Sequence, residues 1–305
     1  MSDLLTHWAV FDDCRRLVKH DPKIEPLFVQ LLDEEQDAAR LGAITRGGHR
    51  WGPTILAETR DQWPGSSDDE VKLGRRIAFA LGGIAHFAAD AVLKPLMSER
   101  AQADWNMTHH AMQGGASGTE TWQDIETIRE LSSYYDTHVF REVYLSGNEE
   151  PFNRFFLNGN DTVPGQALEA FVRSLFQRAL LSCHTLNPDP GDDIGWVDTL
   201  LGRIQPFYLD VDRWVQSFVN PDPEKVRRFG VETDFYRASD PAVELARSIQ
   251  RGEQAAAGEV DGALRAGVNE GGYGRALELG MERLRSASAY WRRGTDALPN
   301  LQQIS

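Results

Sequence analysis

The run Leu81-Gly-Gly-Ile-Ala-His86-Phe-Ala-Ala-Asp90 sets a His and an Asp four residues apart. Four residues is one helical turn, so both side chains share a helix face and can ligate the same metal ion. The pattern recurs at His138-Val-Phe-Arg-Glu142, again a His and a carboxylate at i and i+4 in a helical stretch. Two such pairs on two helices point to a metal site inside a bundle. Lys94 follows Asp90 by another turn and therefore projects toward the same region, where an ammonium could hold an anionic group. Each pair also has a plainer reading. A His among Ile84, Ala85, Phe87 and Ala88 can be a satisfied core residue, and His138 with Glu142 can be a solvated surface pair. Asp90 one turn from His86 favours the metal reading, because burying two polar groups to no purpose is costly.

The elements that must position these residues are helical. Apolar residues recur at intervals of three and four rather than at alternate positions, which predicts an all-α multi-helix bundle. Helices are expected over residues 3–19 and 23–40, the second entered through Asp21-Pro22. The Gly/Pro/Trp stretch from Gly42 to Gly65 reads as a loop too broken for a long helix. Ser67 caps a long helix whose first turn carries Asp68, Asp69 and Glu70, and Pro95 is its expected end. Residues 104–118, with His109 and His110, read as a loop over the site, with one of the two histidines facing it. Further helices are expected over 119–145, 164–184, 194–219, 241–251 and 273–292, with Leu277, Met281, Leu284 and Ala287 on the buried face of the last. Residues 252–272 read as a mobile linker or lid. The domain reading is a helical metal-binding core over 1–220 with 221–305 as a C-terminal elaboration of the same domain.

Composition narrows the function. A chain of 305 residues that is 41% hydrophobic and 26% charged can bury a sizeable core. Its formal net charge of -14 argues against nucleic-acid binding through a basic surface. Cys14 and Cys183, two thiols far apart, make neither a disulfide framework nor a thiolate zinc site, so a metal must use His and carboxylate ligands. No signal-like N-terminus or bilayer-length apolar run is expected, which reads as cytoplasmic with no transmembrane segment. The Ser-elbow, phosphate-loop and dinucleotide motifs are missing from the sequence. The doublet His20-Asp21, of a kind used by helical metal phosphohydrolases, stands at a helix end before Pro22 and reads as accidental.

Taken in order, Thr6-His7-Trp8, Leu41-Gly-Ala-Ile44, the stretch from Ala80 to Asp90, and His138-x-x-x-Glu142 resemble the bacterial zinc-dependent phospholipase C family. That family has a helical fold related to the S1/P1 nucleases, and the resemblance covers about the first half of the chain. It implies a cluster of up to three zinc ions that activate water for attack on a phosphodiester. It adds His7 to the ligands, with His49 from the loop after the second helix and His110 from the later one, beside His86, Asp90, His138 and Glu142. The chain departs from the family in two places. Lys94-Pro95 stands where His-Pro is usual, and Arg46-Gly47 where Pro-Asp is usual. The first removes a ligand and the second a bridging carboxylate, which Asp61 further on could replace.

The expected function is a metal-dependent hydrolase, most readily of a phosphoester, acting on a small anionic substrate with metal-activated water as nucleophile. The alternative is a non-hydrolytic relative on the same scaffold that binds a small ligand or runs a different metal-assisted reaction.

Overall fold

A computed structural model describes residues 4–45, 48–63, 67–100 and 236–292. The described residues are helical with no strand, in agreement with the all-α expectation. In chain order the helices are α1 (Leu4–Val18), α2 (Pro26–Glu34), α3 (Gln36–Ile44), α4 (Gly48–Gln62), α5 (Ser67–Arg100), α6 (Pro241–Gln250), α7 (Glu259–Gly267) and α8 (Gly272–Trp291). The chain divides into two compact units. One comprises residues 4–93 with 234–305, and it contains all the packing described below.

Its centre is α1, which packs against α2, α3, α6 and α8. Phe11, Leu17 and Cys14 of α1 are fully buried with Phe28 and Leu32 of α2 and Leu277 and Met281 of α8. Each such apolar side chain removed from water contributes about 1.5–3 kcal/mol. The buried face expected for α8, Leu277, Met281, Leu284 and Ala287, is the one observed. At the start of α6, Asp240 is the N-cap and accepts the amide of Ala242 at 2.8 Å, while Pro241 sits at the first position, where its missing N–H costs nothing.

The structure corrects several boundaries. The helix expected over 23–40 is two, broken at Glu35, whose φ of -111° and ψ of 40° leave the helical region. Asp21 turns the chain into α2 by accepting the Lys23 amide at 2.9 Å. The expected loop of 42–65 is mostly helix. α3 runs on to Ile44, and α4 carries Pro53 in its second turn, where a proline removes a single backbone bond. α5 continues past Pro95 to Arg100. The expected linker of 252–272 contains α7, whose Val260 and Leu264 are buried. By length and composition Glu70–Leu93 is apolar enough to cross a membrane, contrary to expectation, but most of it is buried inside the protein as a core helix. The helices expected over 119–145, 164–184 and 194–219, and the loop of 104–118, lie outside the described residues.

Candidate metal centre

The site is built where α1, α3 and α5 meet. α3 and α5 run so close that a Cβ on Gly82 would stand 1.9 Å from the Ala39 carbonyl oxygen, and one on Gly42 would stand 2.0 Å from that of Phe79. Only glycine permits this approach of backbone to backbone. It brings the last turn of α3 within reach of His86, whose Nδ1 lies 2.7 Å from the Ala43 carbonyl oxygen. A carbonyl only accepts, so Nδ1 carries the proton and Nε2 keeps its lone pair for a ligand. A backbone carbonyl fixing the ring and tautomer in this way is the usual outer support of a metal-ligating histidine.

His7 enters from the first turns of α1 and stacks on His86, with ring centroids 4.0 Å apart and planes 18° from parallel. Its Nε2 lies 3.5 Å from Oδ1 of Asp90. All three side chains are buried, at 4%, 6% and 7% exposure for His7, His86 and Asp90. One ligand atom from each falls within 4.8 Å of the others, so the group could hold a metal ion. Ligands about 2.0–2.1 Å from a tetrahedral ion stand roughly 3.4 Å apart. The His7–Asp90 separation of 3.5 Å already matches that edge. The donor set, two imidazoles and a carboxylate, suits zinc and other first-row divalent ions.

Two ionic clusters fix the helices that carry the site. Arg40 of α3 grips Asp12 of α1 through two hydrogen bonds of 2.9 and 2.7 Å. Burial raises the Asp12 carboxyl, but the Arg40 guanidinium more than offsets this and holds it below the usual carboxylate range. The neighbouring Asp13 faces α8. It accepts the Tyr273 hydroxyl at 2.8 Å and a hydrogen bond from Arg16. Burial nevertheless pushes its carboxyl above the ordinary value. Together the two clusters set the rotation of α1 about its axis, and so the direction in which His7 points.

Of the other candidate residues, Asp61 is exposed in the last turn of α4 and is not part of the buried group. His49 lies in the first turn of α4, and Lys94 continues α5 one turn past Asp90. The side chains of both fall outside the described residues. His110, His138 and Glu142 lie outside them altogether. Asp21 of the His20-Asp21 doublet is paired with Arg285 at 2.6 Å and serves the α2 entry and α8. One contributor escaped sequence reasoning. The Ala43 carbonyl has no side-chain signature, and its only trace is the pair of glycines, Gly42 and Gly82.

Compared with models of known families, with curated proteins and with solved structures, the chain shows no significant match.

Proposed function

We propose that the chain is a metal-dependent hydrolase, with a phosphoester as substrate and zinc as the metal, held by His7, His86 and Asp90. The observation that carries this reading is the buried convergence of the three side chains, with Nδ1 of His86 tied to the Ala43 carbonyl so that Nε2 is left to ligate. Three protein ligands are the complement of a catalytic rather than a structural zinc, and such an ion supplies an activated water as nucleophile. The residues do the positioning. Ala43 orients His86, the stacked imidazoles hold each other in register, and burial keeps bulk water from the three donors.

A second reading is supported by the 3.5 Å approach of His7 to Asp90, in which this polar pair, with His86 stacked on it, serves a ligand-binding scaffold without hydrolysis. Metal analysis of the gently purified protein separates the two. The hydrolase reading expects about one to two divalent ions per chain, loss of metal in His86→Ala and Asp90→Ala, and turnover of bis(p-nitrophenyl) phosphate that a chelator abolishes. Metal content near zero in a stable, folded protein favours the second reading.

A further inference from the structure

On the flank of this site lies a buried cation that no carboxylate neutralises among the described residues. Arg283, from the core-facing side of α8, is 8% exposed, and its Nη1 finds no hydrogen-bond acceptor among the described residues. Its guanidinium lies over the ring of Phe87, 5.1 Å from the centroid. One turn earlier on α8, Gly280 sits against Ala88, a Cβ there standing 3.7 Å from that of Ala88, so α8 is seated on this stretch of α5. At roughly 100° per residue, Asp90 stands about 40° and Phe87 about 100° round α5 from His86. Phe87 and Asp90 are i and i+3, neighbours on the helix surface, so the cation stacked on Phe87 lies on the Asp90 side of α5.

A guanidinium taken out of water needs a partner, because stacking on an aromatic face satisfies the charge but none of the five N–H donors. Every other buried or half-buried ion pair around α8 is closed. Arg285 binds Asp21 and Asp261, and Arg292 binds Glu25. Among the described residues the charge that acts on Arg283 is that of its exposed neighbour Glu282, and burial holds the Arg283 guanidinium below its ordinary value. The chain as a whole is strongly acidic, which repels anions unless a local cation receives them.

We propose that Arg283 is an anion-binding residue that receives the tetrahedral oxyanion of a phosphoester beside the His7–His86–Asp90 group. A guanidinium suits this role because its planar fork presents paired donors to two phosphate oxygens. Phe87 holds the plane of the fork in place, so little side-chain freedom is lost on binding. The substrate part of the assignment rests on the hydrolase reading, whereas the anion site itself needs no metal.

The test is calorimetric titration of the full-length, chelator-treated protein with inorganic phosphate, against a matched chloride control. Saturable binding is expected, weakened at least tenfold by Arg283→Gln and less by Arg283→Lys, which keeps the charge but not the fork. Phenyl phosphate, which presents the oxyanion on an organic group, is expected to bind at least as well as phosphate. In phosphate-free buffer Arg283→Met is expected to melt at or above the wild-type temperature, since a costly unfilled charge is gone. Equal phosphate binding by wild type and Arg283→Gln, or no binding by wild type, overturns the anion site. A marked loss of melting temperature in Arg283→Met also overturns it, because the guanidinium would then be a packing element. Binding of phosphate but not of phenyl phosphate overturns the ester as substrate. A protein that binds phosphate through Arg283 but carries no metal as gently purified, before any chelator, and takes up none from added zinc refutes the hydrolase reading and leaves the anion site standing.

Discussion

The Ala43 carbonyl oxygen accepts a hydrogen bond from Nδ1 of His86 at 2.7 Å, and it can do so only because α3 and α5 touch through Gly42 and Gly82. The tautomer of the candidate ligand is therefore set by the spacing of two helices. Anything that moves α3 away from α5 acts on the candidate metal site without altering His7, His86 or Asp90.

Gly82→Ala tests that dependence. Its Cβ would meet the Ala39 carbonyl oxygen at 1.9 Å, and neither partner is a flexible side chain that can give way. The helices must separate, at an overpacking cost of about 1–3 kcal/mol. Loss of the carbonyl partner is expected to weaken metal binding about 10–100-fold. Competition with a chromophoric chelator measures the affinity, and urea denaturation measures the stability. An unchanged affinity in a destabilised variant would show that the Ala43 contact does not support the ligand.

Arg40→Ala is expected to be strongly destabilising, because it removes the two-pronged partner of the buried Asp12 carboxylate and leaves Arg15 at the longer distance of 3.9 Å. Breaking a buried pair from one side costs about 3–5 kcal/mol. The pH dependence follows from the depressed Asp12 carboxyl. Its contribution is complete above the unfolded value of about 3.9 and is lost as pH falls through the lower folded value. The stability gap between wild type and Arg40→Ala should therefore be full at neutral pH and shrink in strong acid. Denaturant titrations across that range would reveal it, and a gap that stays constant to low pH would exclude the charge of Asp12 as its cause.

The helical class and the His86–Asp90 pair were legible in the sequence because both depend on spacing within one helix. The buried face of α8 was legible for the same reason. What failed were inferences from composition. Gly and Pro between Gly42 and Gly65 looked like punctuation, yet Gly48, Gly52 and Pro53 lie inside α4, because tertiary packing against α5 favours small residues over strong helix formers. Pro95 failed as a stop for a similar reason, since a long core helix tolerates one lost backbone bond. His7 was reached only through a resemblance, because its partners lie some eighty residues away. The Ala43 carbonyl acts through a contact between helices, which no local pattern encodes.

Cys14 is expected to be inert in the folded protein. It is fully buried, its thiol hydrogen-bonds the Leu277 carbonyl oxygen at 3.7 Å, and burial, with the nearby Asp13 charge, pushes it well above the ordinary thiol range. Thiolate is the reactive form, so alkylation requires opening of the α1–α8 contact. Peptide mapping after iodoacetamide treatment should find Cys14 unmodified under native conditions and fully modified in denaturant. Rapid native labelling would mean that α8 leaves α1 far more often than this packing implies.

Tyr273→Phe should cost stability with the same direction of pH dependence as Arg40→Ala but over a less acidic range, because the Asp13 carboxyl is raised where that of Asp12 is lowered. The Tyr273 hydroxyl donates to Oδ2 of Asp13 at 2.8 Å, while burial raises the Asp13 carboxyl. A raised carboxyl favours folding when protonated, and that contribution is lost as pH rises through the folded value. Above it, the buried charge must be held by hydrogen bonds, of which Tyr273 supplies one and Arg16 another. Removing a donor to a buried charged group costs about 1–3 kcal/mol. The penalty of Tyr273→Phe is thus expected to be largest at neutral pH and to fall on mild acidification, as Asp13 takes up a proton and needs fewer donors. Urea denaturation of wild type and variant at several pH values decides the matter. A penalty that stays constant toward acid would show that Asp13 is already neutral at pH 7, with the hydroxyl serving as its acceptor instead.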